Sequence, residues 1–262
     1  MTPGVGDVSR RLWRVWQRNW TVYRKTWRIG FLPPLLEPIF YLVAFGAGLG
    51  NLVGEVSYAG ETVGYVRFIA PALLAIAIMQ NAFFENTYAS FVRMYYQKTF
   101  DAMLATPLSV EDVISGEIAW GATKSLMAAA IMGSVLTPFG LLSYPEALLI
   151  LPVAVLGGVA FGSCGMAFTG LVPNIEVFNL PVFLFVTPMF LFSGTFFPLD
   201  ALPPWAQAVA QVFPLTHLVE LVRGAAFGSL HGGHVGSLAY LLAFDAVVYP
   251  LAVSRMRRRL IR

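Results

Sequence analysis

The stretch ALLILPVAVLGGVAFGSCGMAFTGLV, residues 147–172, holds no charged side chain and exceeds the roughly 20 apolar residues that carry a helix across a bilayer. It lies within a longer region, Ser125 to Val222, that contains no lysine or arginine. A water-soluble fold would have to present that region to solvent almost without charge. The rest of the chain repeats the pattern. Hydrophobic residues make up 57% of the 262 and charged residues 12%, against about 45–50% and about 25% in soluble domains. Six apolar segments of spanning length stand out, at residues 32–52, 68–88, 117–138, 147–172, 178–197 and 235–254. The first contains Pro33, Pro34 and Pro38 and the fifth Pro181 and Pro188, so neighbouring helices must satisfy the carbonyls those prolines free.

The 17 basic and 14 acidic residues leave a net charge of +3, too small to point to nucleic acid. Their placement is more informative. Seven bases precede Phe31 and five follow Val253. With six crossings both termini share one side. That side, with the 90–116 connection, holds 14 of the 17 bases, while the other keeps Arg67 and Arg223. Positive charge marks the cytoplasmic side, which places both termini there. The tryptophan-rich first thirty residues lack the short apolar core and small-residue site of a cleavable signal, so none is expected. The single cysteine, Cys164, excludes an internal disulfide and a four-cysteine metal site.

Three segments outside the spans carry pattern. In residues 9–28, Leu12, Val15, Trp16, Trp20, Tyr23 and Trp27 recur at three- and four-residue spacing, with Arg10, Arg11, Arg14, Arg18 and Lys25 mostly on other faces. Such a helix lies in the membrane interface, either as an anchor or as a grip on a cytoplasmic partner. In the 90–116 connection, residues 97–105 form a short helix with Phe100, Met103 and Leu104 on one side and Lys98 and Asp101 on another. Pro107 ends it, and Ser109 is placed to cap the next helix, with Glu111 and Asp112 in its first turn. The apolar side of the short helix is expected to face a partner or the interface. Residues 197–233 are apolar but broken by Pro198, Pro203, Pro204 and Pro214. They read as two short outer helices that dip into the outer leaflet or cap the bundle. Gly157, Gly158, Gly162 and Gly165 in the fourth span fit close helix packing.

Chemistry is sparse. GEIAWGATKS, residues 116–125, has two residues too many before Lys-Ser for a phosphate loop and begins a membrane helix. His231 and His234 stand across two glycines with no cysteine or carboxylate nearby, a poor metal pair. No Ser/His/Asp arrangement is recognisable. Four ionisable groups lie inside spans, where they are costly and often functional: Glu37, Glu85, Lys124 and Asp245. Glu85 and Lys124 approach similar depth on antiparallel neighbours, which points to an ion pair that either fixes register or meets substrate. For such a pair, a charge swap should restore part of what either neutralisation removes. Asp245 has no partner in its own helix and must face the bundle, be protonated, or meet Arg223 or a histidine. Four scattered charges make a weak proton relay, so a proton-coupled exporter or a scaffold stands behind a transport subunit driven from elsewhere.

The order of certain words carries a resemblance. They are Phe84-Glu85 with Tyr88 and Phe91, Arg93-Met94, TFDAML at 99–104, TPLS at 106–109, Asp112, Gly116-Glu117, Trp120 and Lys124. Further on come Pro188, LFSG at 191–194, Phe197-Pro198, Leu202-Pro203, FPLTH at 213–217 and Arg223. Over nearly its whole length the chain resembles the membrane subunit of ABC-2-type transporters, and within it the nodulation-type permeases linked to lipo-oligosaccharide export. The resemblance implies an all-α integral membrane fold forming a single transmembrane domain over residues 1–262. It would have six transmembrane helices, an interface helix at 9–28 and outer helices at 198–228. A coupling helix at 97–105 would seat Thr99, Phe100, Asp101, Met103, Leu104 and Pro107 in a cleft of a separate ABC ATPase subunit. Phe197, Pro198, Pro214, His217 and Arg223 would form an outer gate. No cofactor would bind this chain, with ATP–Mg held by the partner. A second permease copy, as a homodimer, and a lipid-like substrate would complete the assembly in the bacterial inner membrane, with no nucleic acid. Drug and polysaccharide exporters share these words, so the cargo stays open among a lipo-oligosaccharide, a related glycolipid, a hydrophobic drug and a polysaccharide precursor. The phenylalanines of the fifth span (Phe178, Phe183, Phe185, Phe190, Phe192) either line the route or face lipid.

Overall fold

The computed structural model describes residues 8–58 and 61–261. Helix α1 (Leu12–Val43) runs on through a π-helical stretch, Ala44–Leu49. It bends by 64° between its halves Leu12–Arg28 and Gly30–Gly46. Pro33 and Pro34 supply the cause: neither can donate to the carbonyl four residues back, at positions 29 and 30, and their rings crowd those carbonyls. The interface helix and the first span are therefore one rod with an elbow. An antiparallel hairpin follows, β1 (Glu55–Tyr58) with β2 (Glu61–Gly64), pairing Val56 with Val63. The sequence reading does not anticipate it, because two four-residue strands are too short to show a period.

Helix α2 (Tyr65–Tyr96) extends eight residues beyond its apolar segment, through π-helical turns at Glu85–Ala89 and Val92–Tyr96. The chain then reverses at Lys98, whose φ of 54° is left-handed, and forms α3 (Thr99–Leu104). Helix α4 (Val110–Phe139) begins where the sequence places its cap: Ser109 Oγ accepts from the Asp112 N–H at 3.0 Å. Next come α5 (Glu146–Leu171), α6 (Ile175–Phe192), α7 (Pro204–Val212), α8 (Pro214–Phe227) and α9 (Gly232–Leu260). Among the described residues five helices are long and apolar enough to cross a membrane, and six if the bent α1 counts as a span. The fold is that of an all-α integral membrane protein.

Small residues set the helix contacts. A Cβ on Gly158 of α5 would lie 2.6 Å from the Cα of Ala122 in α4, and one on Gly165 would lie 2.7 Å from the Phe83 carbonyl oxygen of α2. Asn86 is wedged where Gly121 and Gly162 make room for it. The α7–α8 pair dips into the bundle and returns. Leu218 of α8 and Ile78 of α2 both lie against Gly157 of α5, Ile78 being roughly 20 Å along α2 from Tyr65 at 1.5 Å per residue. Arg223, nearer the end of α8, reaches Phe68 at the start of α2.

The first and last described segments meet at one face, here the terminal face. Ser9 donates its N–H and Oγ–H to the Asp112 carboxylate at 2.7 and 2.9 Å, and Arg257 of α9 pairs with Glu111 at 2.8 Å. Beneath lies an apolar cluster that includes Val15, Phe91, Phe100, Val113, Phe178 and Met256.

Candidate functional site

A cleft near the terminal face opens between the first half of α1, α2 and α4. Its wall is a buried set of charges. Lys124 Nζ lies 2.6 Å from Glu85 Oε2, the pair expected from equal depth. The pair is not isolated. Arg93 Nη1 donates to Glu85 Oε1 at 2.7 Å, and the Trp120 indole N–H to the same oxygen at 3.1 Å. The guanidinium also reaches Glu117, with Nε 2.9 Å from Oε2. Glu117 completes its shell with Ser90 Oγ at 2.9 Å and, from α1, Asn19 Nδ2 at 2.8 Å. Two carboxylates and two cations thus cancel, every charge is hydrogen-bonded, and three helices are tied together. Composition alone misses Arg93, Glu117 and Asn19. A helical-face signal was present, since Arg93 is eight residues after Glu85 and Glu117 seven before Lys124, two turns in each case.

The helix read at 9–28 does not simply rest on the membrane. Val15 is buried against Gly116 of α4, and Trp16 and Trp20 pack edge-on against Trp120, with ring centroids 6.2 and 6.4 Å apart. The segment GEIAWGATKS lies wholly inside α4, with its lysine committed to Glu85.

The short helix α3 departs from expectation in one respect. Phe100 is fully buried and Met103 only 9% exposed, both within the chain's own apolar cluster. Leu104 is half-buried. The apolar side therefore anchors the helix to its own bundle instead of presenting itself to a partner. Two bulky side chains beside Phe91 and Val113 are better covered intramolecularly than left for an outside contact. The outward face consists of Asp101, Ala102, Ala105, Thr106 and Pro107, flanked by exposed Tyr95 and Tyr96, while Thr99 is half-buried. Arg11, just before α1, donates to the Pro107 carbonyl and braces the turn after α3.

The far-side residues fall into two clusters. Arg223 is buried, donates to the Phe68 carbonyl at 3.3 Å and the Gly194 carbonyl at 3.0 Å, and sits 4.0 Å above the Phe68 ring. It thereby locks the LFSG turn to the start of α2. His217 is deeper, stacked 3.9 Å from Tyr240, with Nε2 donating to the Gln211 carbonyl at 2.9 Å and Nδ1 3.2 Å from Ser237 Oγ. Pro214 is buried at the base of α8, Phe197 is exposed, and Pro198 is half-buried. Replacing Arg223 by lysine keeps the charge but cannot bridge both carbonyls. Arg223→Lys should cost about 1–3 kcal/mol for the acceptor left unpaired, seen as a lower thermal midpoint in detergent. An unchanged midpoint would show the clamp to be dispensable.

Asp245 meets neither Arg223 nor a histidine. One buried carboxyl oxygen has no hydrogen-bond partner, and the group is close enough to Cys164 to act on it electrostatically. Glu37, half-buried, interacts with Tyr41 one turn on. Among the described residues no three His, Cys, Asp or Glu side chains gather as a metal set.

A bundle of apolar crossings, a short helix clamped at its terminal face and a dipping helical pair at the other define a transport permease. Residues 10–227 match the family described as ABC-2 type transporter, and the chain belongs to that family. It is 36% identical over 249 residues to Nodulation protein J of Rhizobium meliloti (strain 1021), covering 94% of this chain and 92% of that one. It is 38% identical over 251 residues to Nodulation protein J of Rhizobium leguminosarum bv. trifolii, covering 95% and 93%. Similarity extends, at 22% identity over 93% of each chain, to the inner membrane transport permease YadH of Escherichia coli (strain K12).

Proposed function

We propose that the chain is the membrane subunit of an exporter that moves an amphipathic cargo, a lipo-oligosaccharide or related glycolipid, outward across the inner membrane. A separate ATPase that binds ATP–Mg would drive it. The count of bases favours a cytoplasmic terminal face. The observation that carries the proposal is the mounting of α3. It joins α2 to α4, its inner side is rooted by Phe100 and Met103, and its outer side is small and exposed. A push on that outer side would be delivered to both helices at once, and the charged set binds those two helices into one lever. A second permease copy would supply the other wall of the route. Phe183 and Leu184 of α6, 73% and 74% exposed, offer an apolar surface for cargo or for that copy.

The test follows from the burial. Phe100→Ala would damage the core and report on folding. Ala102→Arg and Asp101→Arg alter only the exposed face. Each should leave the permease inserted at wild-type level yet remove the soluble ATPase that co-purifies in mild detergent, together with transport. Undiminished co-purification in both variants would overturn the docking face, and a wild-type permease with no ATPase partner would overturn the exporter.

A further inference from the structure

The charged set is neutral, but the cleft it lines is not. The cleft encloses about 460 Å³, and Arg18 of α1 forms part of its wall together with Tyr23, Tyr88, Trp120, Arg93 and Lys124. Arg18 is half-buried, and its hydrogen-bond acceptor among the described residues is the neighbouring Asn19 side-chain oxygen at 2.9 Å, not a carboxylate. Burial holds its guanidinium below the ordinary arginine value; Glu117 opposes the effect and Arg93 adds to it. Glu117 is already saturated by Arg93, Ser90 and Asn19. Lys124, also facing the cleft, spends one of three N–H donors on Glu85. One net positive charge and several idle donors therefore line a cleft that Tyr23, Tyr88 and Trp120 share with Glu85, Thr26 and Gln97.

We infer that this cleft is a headgroup site for an anionic amphiphile of the adjacent leaflet, with Arg18 and Lys124 receiving a phosphate, sulfate or carboxylate. Guanidinium and ammonium donors satisfy such oxygens with charge-assisted bonds. Tyr23 and Tyr88 of the same wall flank the sugar or glycerol next to the anion. As a place of cargo capture the site rests on the exporter proposal, whereas binding itself needs no ATPase. Failure of one therefore leaves the other standing.

The experiment uses the full-length permease alone in dodecyl maltoside micelles. Dodecyl phosphate is titrated in and followed by tryptophan emission, Trp120 being in the cleft wall. Inorganic phosphate is titrated in parallel. Saturable binding of dodecyl phosphate is expected, weakened at least tenfold by Arg18→Gln. The double variant Arg255→Gln/Arg258→Gln removes two exposed bases elsewhere on the terminal face and should stay within about twofold of wild type. Equal binding by wild type and Arg18→Gln would overturn the site, as would an equal loss in the double variant. Inorganic phosphate saturating the site with the same constant would also overturn it, because the ligand would then be a free anion and not an amphiphile.

Discussion

Exchanging Glu85 and Lys124 should abolish assembly of the permease instead of restoring it. An isolated pair tolerates reversal, and depth alone would predict rescue. Here Glu85 also receives Arg93 at 2.7 Å and the Trp120 N–H at 3.1 Å. With Glu85→Lys and Lys124→Glu combined, an ammonium would face a guanidinium and an indole donor, both of which need an acceptor. Glu117 would keep Arg93, but the second carboxylate would sit at the cleft edge. The cost of breaking a buried pair in this way is about 3–5 kcal/mol, a large share of the 5–15 kcal/mol that holds a typical domain together. Arg93→Met should be as severe, since it strips partners from two carboxylates at once. Both are read as loss of monodisperse protein after solubilisation. Wild-type yield from the swapped variant would show that Arg93 is not a hub.

Gly158→Ala and Gly157→Ala should differ sharply although the residues are neighbours and the chemistry is the same. At Gly158 the new methyl group meets the Cα of Ala122 at 2.6 Å, and backbone on both helices cannot give way without separating α4 from α5. At Gly157 it meets the tips of Leu218 at 2.9 and 3.0 Å, which can rotate aside. Overpacking of the first kind costs about 1–3 kcal/mol. The second should fall at or below the bottom of that range. Thermal midpoints of the two variants, measured in the same detergent, check the ordering. Equal midpoints would mean that α4 and α5 are not held at backbone contact.

The apolar crossings were legible because each announces itself within its own twenty residues. So was the start of α4, where Ser109, Glu111 and Asp112 make a local cap. The Glu85–Lys124 pair was legible because antiparallel neighbours of known length fix relative depth. What escaped depends on contacts distant in sequence. Which side of α3 faces inward is decided by Phe91, Val113 and Phe178, and no periodicity within 97–105 distinguishes a core face from a docking face. The outer residues were grouped by motif, but the α7–α8 dip separates His217 from Arg223 in depth and joins Arg223 to Gly194 instead. Nothing within its own helix marks Asn19, which reaches across to Glu117 over 98 positions of sequence.

The members of the charged set share a property of position as well as of space. Asn19, Glu85, Arg93, Glu117 and Lys124 all precede residue 125. Because a chain is synthesised from its N-terminus, the entire neutralising set is available once the third crossing helix has left the ribosome. The costly groups can satisfy one another at that stage, and the bilayer need not hold an unpaired carboxylate while α5 to α9 are still being made. Those later helices then dock, through the glycines of α5, on a half-bundle that is already neutral.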